Sequence, residues 1–145
     1  PDADGRRIWK MLALFQATYV GAPMIYYGSE VGMWGADDPE DRMPTWWHRL
    51  DQDIHDTYQS VFQLRHAHPA LRRGSFKVLG VHNDKQIFAF KRELGEESLY
   101  IFFNRGPNAL NFDNEFLNSL TVLYSTDPKA SPQHLPALSA VVFAR

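Results

Sequence analysis

Pro23-Met24-Ile25-Tyr26-Tyr27-Gly28-Ser29-Glu30-Val31-Gly32-Met33 runs directly into Trp34-Gly35-Ala36-Asp37-Asp38-Pro39-Glu40-Asp41-Arg42-Met43-Pro44-Thr45-Trp46-Trp47, and these two stretches decide how the chain reads. Met24–Tyr27 is apolar throughout, as a parallel strand buried on both faces is. The loop after it spans 28–50, and its stretch Trp34–Trp47 carries four acids, one arginine and three tryptophans. It exceeds the roughly 12–15 residues of an ordinary connection, which points to function. Upstream, Ile8, Met11, Leu12, Phe15 and Tyr19 recur at helical spacing and predict a helix over 6–19, with Asp4 as N-cap. Helix, a break at Gly21 and Pro23, then a buried strand make one αβ unit of an α/β fold.

Downstream, Ile54, Tyr58, Val61 and Phe62 form the inner stripe of a second helix over 51–67, capped by Asp51 or Asp53. After Pro69 and Gly74 the hydrophobic period shifts towards two. Strands are expected at 76–81, 86–92, 98–104, 120–124 and 139–144, separated by turn-forming clusters such as Arg105-Gly106-Pro107-Asn108. Short strands with regular turns predict an antiparallel sandwich. The expected organisation is therefore two parts, 1–72 and 73–145, meeting near 70–75.

Composition narrows the function classes. The 145 residues are 44% hydrophobic with a net charge of −2, enough for one globular core. Charges of both signs are scattered, and Arg72–Arg73 is too short for a nucleic-acid patch. No apolar run approaches the roughly 18 residues of a membrane span. The absence of cysteine excludes disulfides and thiolate metal sites and leaves the compartment open. His66-x-His68 falls at a helix end before a proline with no third ligand in view, so no metal is expected there. Asp37, Glu40 and Asp41 lack the alternating ligands of a calcium loop. The glycines at 28, 32 and 35 do not fit a dinucleotide fingerprint, and no cofactor is expected.

Several stretches together resemble the C-terminal end of α-amylase-family glycoside hydrolases, in the cyclomaltodextrinase, neopullulanase and maltogenic amylase branch. They are Lys10-Met11-Leu12-Ala13-Leu14-Phe15-Gln16, Gly21–Gly28, Glu30-Val31-Gly32-Met33, Asp38-Pro39 with Arg42, His68-Pro69-Ala70-Leu71-Arg72 and Leu135–Val142. The resemblance implies that residues 1–72 supply the last helix, strand and helix of a (β/α)8 barrel, and residues 73–145 the β-sandwich called domain C. It also implies that Asp38 and Arg42 contact one glucose of an α-glucan on the non-reducing side of the cleaved bond. The chemistry suits this, because a carboxylate accepts from vicinal hydroxyls and a guanidinium donates through a fixed fork. Trp34 is the expected stacking partner for the sugar face. Trp46 and Trp47 are expected to pack the loop, and Glu30 to support it without a catalytic role. Ser29 and Thr45 depart from residues usual in the family.

Retaining hydrolysis needs two carboxyl groups about 5–5.5 Å apart. In the resembled family these follow barrel strands that would precede Pro1, so no catalytic residue is expected in this chain. The expected reading is a C-terminal part of a retaining α-glucan hydrolase, inactive alone. Its unpaired barrel surfaces would be covered by self-association, by another chain, or by refolding onto the β part. The alternative is a stand-alone starch-binding or purely structural β-sandwich module. Against binding by the β part, all four tryptophans lie before residue 48.

Overall fold

The computed structural model describes residues 2–35 and 42–145, so Asp38 and the other loop acids Asp37, Glu40 and Asp41 lie outside the described residues. The first helix, α1, spans Ala3–Thr18. Asp2, not Asp4, caps it: the Asp2 carboxylate accepts from the Gly5 N–H at 2.7 Å. Asp4 sits inside the first turn, where its charge favours the helix dipole. Helix α2 spans Gln52–Ala67 and is capped by Asp51, whose carboxylate accepts from the Ile54 N–H at 3.2 Å. A short α3, Pro69–Arg73, begins on the proline and stops at Gly74.

The remaining elements are β1 (Ser75–His82), β2 (Ile87–Leu94), β3 (Glu97–Asn104), β4 (Leu110–Asn111), α4 (Glu115–Asn118), β5 (Thr121–Ser125), β6 (His134–Leu135) and β7 (Ser139–Ala144). Five strands form an antiparallel sheet in the order β1-β2-β3-β7-β5, and β4 pairs with β6 in a separate two-stranded ribbon. Leu94 pairs with Glu97, leaving a two-residue hairpin whose first position is Gly95 at φ +59°, the conformation that primed hairpin turns demand.

The period-two pattern sorts the core into two layers. Leu99, Ile101 and Phe103 of β3, with Ala140 and Val142 of β7, join Leu14 and Ala17 of α1, Ile54 and Val61 of α2, and Leu71 of α3. The alternate residues Tyr100, Val141 and Phe143 face the opposite way and pack with Leu117, Leu120 and Leu135. One sheet therefore carries helices on one face and the ribbon with α4 on the other. Helices and sheet share a continuous core, since Phe90 of β2 and Leu14 of α1 are both fully buried within it.

The expected strand at Met24–Tyr27 does not form: Ala22–Tyr26 has no regular secondary structure. A parallel strand exists only through ladder bonds to neighbours. Among the described residues none is offered, because all named strands lie beyond residue 74 and pair with one another. The apolar run is consequently turned out, with Met24 68%, Ile25 41% and Tyr26 71% exposed.

Candidate functional site

Residues 27–33 fold into a tight turn. Tyr27 (φ +55°) and Gly28 (φ +72°) are consecutive left-handed residues, a single 3-10 turn follows over Ser29–Val31, and Gly32 is left-handed again at φ +77°. The Gly28 carbonyl accepts from the N–H groups of Val31 at 3.0 Å and Met33 at 3.1 Å, closing the turn on itself. Glycine is required at both positions for space as well as for φ. A Cβ at Gly28 would stand 2.5 Å from Met33 Sδ, and one at Gly32 2.6 Å from Asp51 Cβ. Tyr27 has no such excuse, and a bulky residue held in the left-handed region belongs to the kind of backbone found at ligand sites.

The turn is docked on the start of α2. Val31 and Met33 are buried, the Asp51 N–H donates to the Val31 carbonyl at 3.1 Å, and the His55 Nδ1 lies 3.2 Å from the Glu30 carbonyl. Asp51 also pairs with Arg6 of α1. Burial raises the Asp51 carboxyl, but the Arg6 guanidinium and the backbone N–H groups of Ile54 and Asp53 outweigh it, so the group titrates below the ordinary value of 3.8. Deeper in, burial pushes the Tyr58 phenol up. Hydrogen bonds with Trp9 and Ser29 oppose that rise, and the nearby Glu30 charge adds to it. One Glu30 carboxylate oxygen is buried with no hydrogen-bond partner among the described residues. Among the described residues of 28–50, Glu30 is the lone carboxylate. It cannot by itself supply the paired acids of glycoside hydrolysis.

From this base the loop presents aromatics. Trp34 is 63% exposed, and its ring stands at 84° to Trp46 with centroids 6.3 Å apart. Trp46 is half-buried; its backbone N–H donates to Met33 Sδ at 3.3 Å, and the Arg49 guanidinium lies 5.0 Å from the centre of its ring. Trp46 thus meets Trp34 in a near-perpendicular ring contact, and Trp34 remains largely exposed. An open indole face is the surface on which the apolar side of a pyranose can stack. The Tyr27 hydroxyl donates to the Met43 carbonyl at 2.7 Å and ties the far end of the loop back to the turn. Arg42, one residue before Met43, is exposed. Trp47, read as packing, is instead 68% exposed at the start of the short turn Trp47–Arg49. The structure therefore brings Trp34 and Trp46 together and places Arg42 next to the anchored Met43, while Asp38 lies outside the described residues.

Two other readings can be placed. His68 does not pair with His66; its Nδ1 lies 2.7 Å from Glu97, whose second oxygen accepts from the Ala70 N–H at 2.7 Å, an anchor between α3 and β3. Among the described residues no group of three His, Asp or Glu side chains could hold a metal, and no helix is long and apolar enough to cross a membrane. A hollow of about 640 Å3 between α1 and the β1–β2 hairpin is lined by Met11, Leu12, Phe15, Ile87, Phe88 and neighbours, and includes no residue of 28–50.

Comparison with known proteins gives these features a context. The chain is 42% identical over 106 residues to a cyclomaltodextrinase of a Bacillus species, a match covering 71% of this chain and 19% of that protein. It is 38% identical over 100 residues to neopullulanase 2 of Thermoactinomyces vulgaris, covering 66% of this chain and 17% of that one. In structure it is similar to the debranching enzyme of Nostoc punctiforme from an acarbose-soaked crystal, with a TM-score of 0.77 and 32% identity over 94% of this chain and 29% of the other. No family model matches the chain. The chain is thus related in sequence and fold to glycoside hydrolases of the α-amylase family, and it spans under a fifth of the length of the first two curated relatives.

Proposed function

Starting from kinship with α-amylase-family glycoside hydrolases, we propose that this chain is the C-terminal part of a retaining α-glucan hydrolase. Residues 1–72 close the catalytic barrel, and residues 73–145 are its β domain. The chain contributes one glucose subsite from the 28–50 loop and none of the catalytic carboxylates. The observation that carries this reading is the exposed Trp34 ring, set perpendicular to Trp46 above a turn whose Tyr27 and two glycines are all left-handed. A loop serving only as a connection has no reason to present an exposed indole on a strained base.

In this subsite Trp34 stacks on the sugar face. Asp38 accepts from vicinal hydroxyls, and Arg42 donates to the same glucose and orients Asp38. The contacts bind and position; bond cleavage belongs to carboxylates elsewhere in the enzyme. The chain alone therefore turns over neither starch, pullulan nor cyclodextrins. In an enzyme carrying this stretch, Asp38→Ala and Arg42→Ala each lower kcat/KM by about 10- to 100-fold, the worth of a hydrogen bond to a charged partner. The loss is larger for oligosaccharides long enough to reach the subsite, and the two changes are non-additive. Equal losses on long and short substrates, or strict additivity, would return both residues to a surface ion pair. Turnover by the pure chain, abolished by substitution within it, would overturn the assignment of roles.

A further inference from the structure

Helix α1 ends without a basic residue in its last turn, so its own sequence does nothing to offset the negative end of its dipole. Two arginines from elsewhere do so. Arg65 of α2 is 8% exposed and Arg92 of β2 1% exposed. Both direct their donors to backbone carbonyls. Arg65 Nη1 donates to Ala17 at 2.8 Å, Tyr19 at 3.3 Å and Leu71 at 2.8 Å, and its Nη2 donates to Gly21 at 2.6 Å. Arg92 donates to Thr18 at 2.7 Å, Ser75 at 3.1 Å and Gly74 at 3.1 Å. The carbonyls at a helix C-terminus have no intrahelical partner, and a guanidinium fork satisfies several at once.

The two arginines differ in how far along the chain they reach. Arg92 stops at Thr18, the last residue of α1. Arg65 goes on to Tyr19 and Gly21, the point at which the chain leaves the helix for the segment leading into the 27–33 turn. Among the described residues no strand ladder holds that segment. Near its start the Gln16 side chain donates to the Met24 carbonyl at 3.3 Å, and its far end is tied by Ser29 Oγ to the Tyr26 carbonyl at 2.7 Å and by the Tyr27 hydroxyl to Met43. Gly21 itself is left-handed at φ +90°, so the direction of the following chain depends on how that one residue is held.

We propose that Arg65 is a positioning residue for the Trp34 subsite: by gripping the Tyr19 and Gly21 carbonyls it fixes where segment 22–27 begins, and hence the placement of the aromatic turn, whereas Arg92 secures the helix without reaching the site. This rests on the sugar reading of the loop only for its functional consequence; the positioning itself is a statement about the backbone. Arg65→Lys leaves the charge but cannot span four carbonyls, and Arg92→Lys is the matched control for lost stability.

The test uses the whole chain. Backbone order parameters at Ala22 and Met24–Tyr27 should fall in R65K from about 0.85 towards 0.6 or lower and stay unchanged in R92K, although both variants unfold at lower urea than the wild type. Affinity for maltohexaose, read by tryptophan fluorescence, should weaken by about 3- to 30-fold in R65K and not in R92K. Equal effects of the two variants on segment 22–27, or none from R65K, overturn the proposal. If the wild type binds no maltohexaose while the order parameters separate the variants as stated, the positioning stands and the sugar reading fails. Should R65K not fold, the wild type still decides: Arg65 Nη protons coupled to the Gly21 carbonyl and slow to exchange support the grip, and a freely rotating guanidinium refutes it.

Discussion

The sheet of residues 75–144 and the segment of residues 22–35 are both rich in apolar residues, yet only the first forms strands. In the sheet every strand finds its partner a short way along the chain or across one crossover, and the alternation along β3 and β7 buries both faces against two different layers. In the segment, Met24-Ile25-Tyr26-Tyr27 has the apolarity of a buried strand and no ladder to join among the described residues. The difference shows what apolarity can and cannot specify. It says that a stretch will be covered, while hydrogen-bonding neighbours decide whether it becomes a strand. The segment is instead shaped by point anchors: Arg65 at Gly21, Gln16 at Met24 and the closed turn at Gly28.

That contrast can be broken most forcefully in the shared core. Phe90→Ala removes a fully buried ring that packs on Tyr19, Phe76, Phe88 and Phe103. A loss of about 3–5 kcal/mol is expected in urea unfolding. Helical and near-ultraviolet signals should be lost in one transition, since α1 and α2 lean on the same residues; two separated transitions would mean that helices and sheet are independent. The next effect is at the turn. Gly28→Ala places a Cβ against Met33 Sδ at a left-handed residue and should cost about 1–3 kcal/mol. Gly95→Ala, also left-handed but with open space around it, isolates the backbone share of that cost. A smaller effect for Gly28 than for Gly95 would mean that Met33 is not wedged there.

Acid should act through Asp51. Its folded value is lowered, so the stability it contributes is whole above the ordinary carboxylate value of 3.8 and disappears as pH falls through the lowered value. Asp51→Asn retains an oxygen for the α2 cap and removes the charge facing Arg6. The gap between wild type and variant in urea midpoint should be largest near neutral pH and close as pH falls below 3.8 through the lowered value; a gap independent of pH would mean the ion pair contributes nothing. The smallest effect is at the exposed run: Met24→Ser and Tyr26→Ser should each shift stability by no more than about 0.5 kcal/mol, as surface positions do. A loss the size of that at Phe90 would show the run to be covered in solution.

Much of the fold was legible in advance, and each failure has its own physical cause. Helices α1 and α2 announce themselves through Met11, Phe15, Ile54, Tyr58 and Val61 at helical spacing, and the five sheet strands through alternation. The ribbon strands Leu110–Asn111 and His134–Leu135 are too short to show a period, as is α3 with five residues. The strand expected at Met24–Tyr27 failed because its evidence was apolarity alone. Of the site, the sequence pointed to Trp34 and Arg42 but not to the perpendicular brace from Trp46, which depends on the loop closing between Tyr27 and Met43. It gave no hint of Arg65 and Arg92. A buried arginine serving carbonyls looks, in sequence, like any surface cation.

The central claim is that the aromatic loop, and not the sheet, is the part of this chain that meets α-glucan. Affinity electrophoresis of the whole chain through gels with and without soluble starch tests it most directly. The wild type should be retarded by the glucan, Trp34→Ala and Asp38→Ala should migrate freely while remaining folded by circular dichroism, and substitution of Val78 or Val81, exposed on β1 far along the chain from the loop, should leave the retardation intact. Retardation that survives Trp34→Ala and Asp38→Ala but is lost with the β1 residues would move the glucan contact to the sheet and contradict the claim.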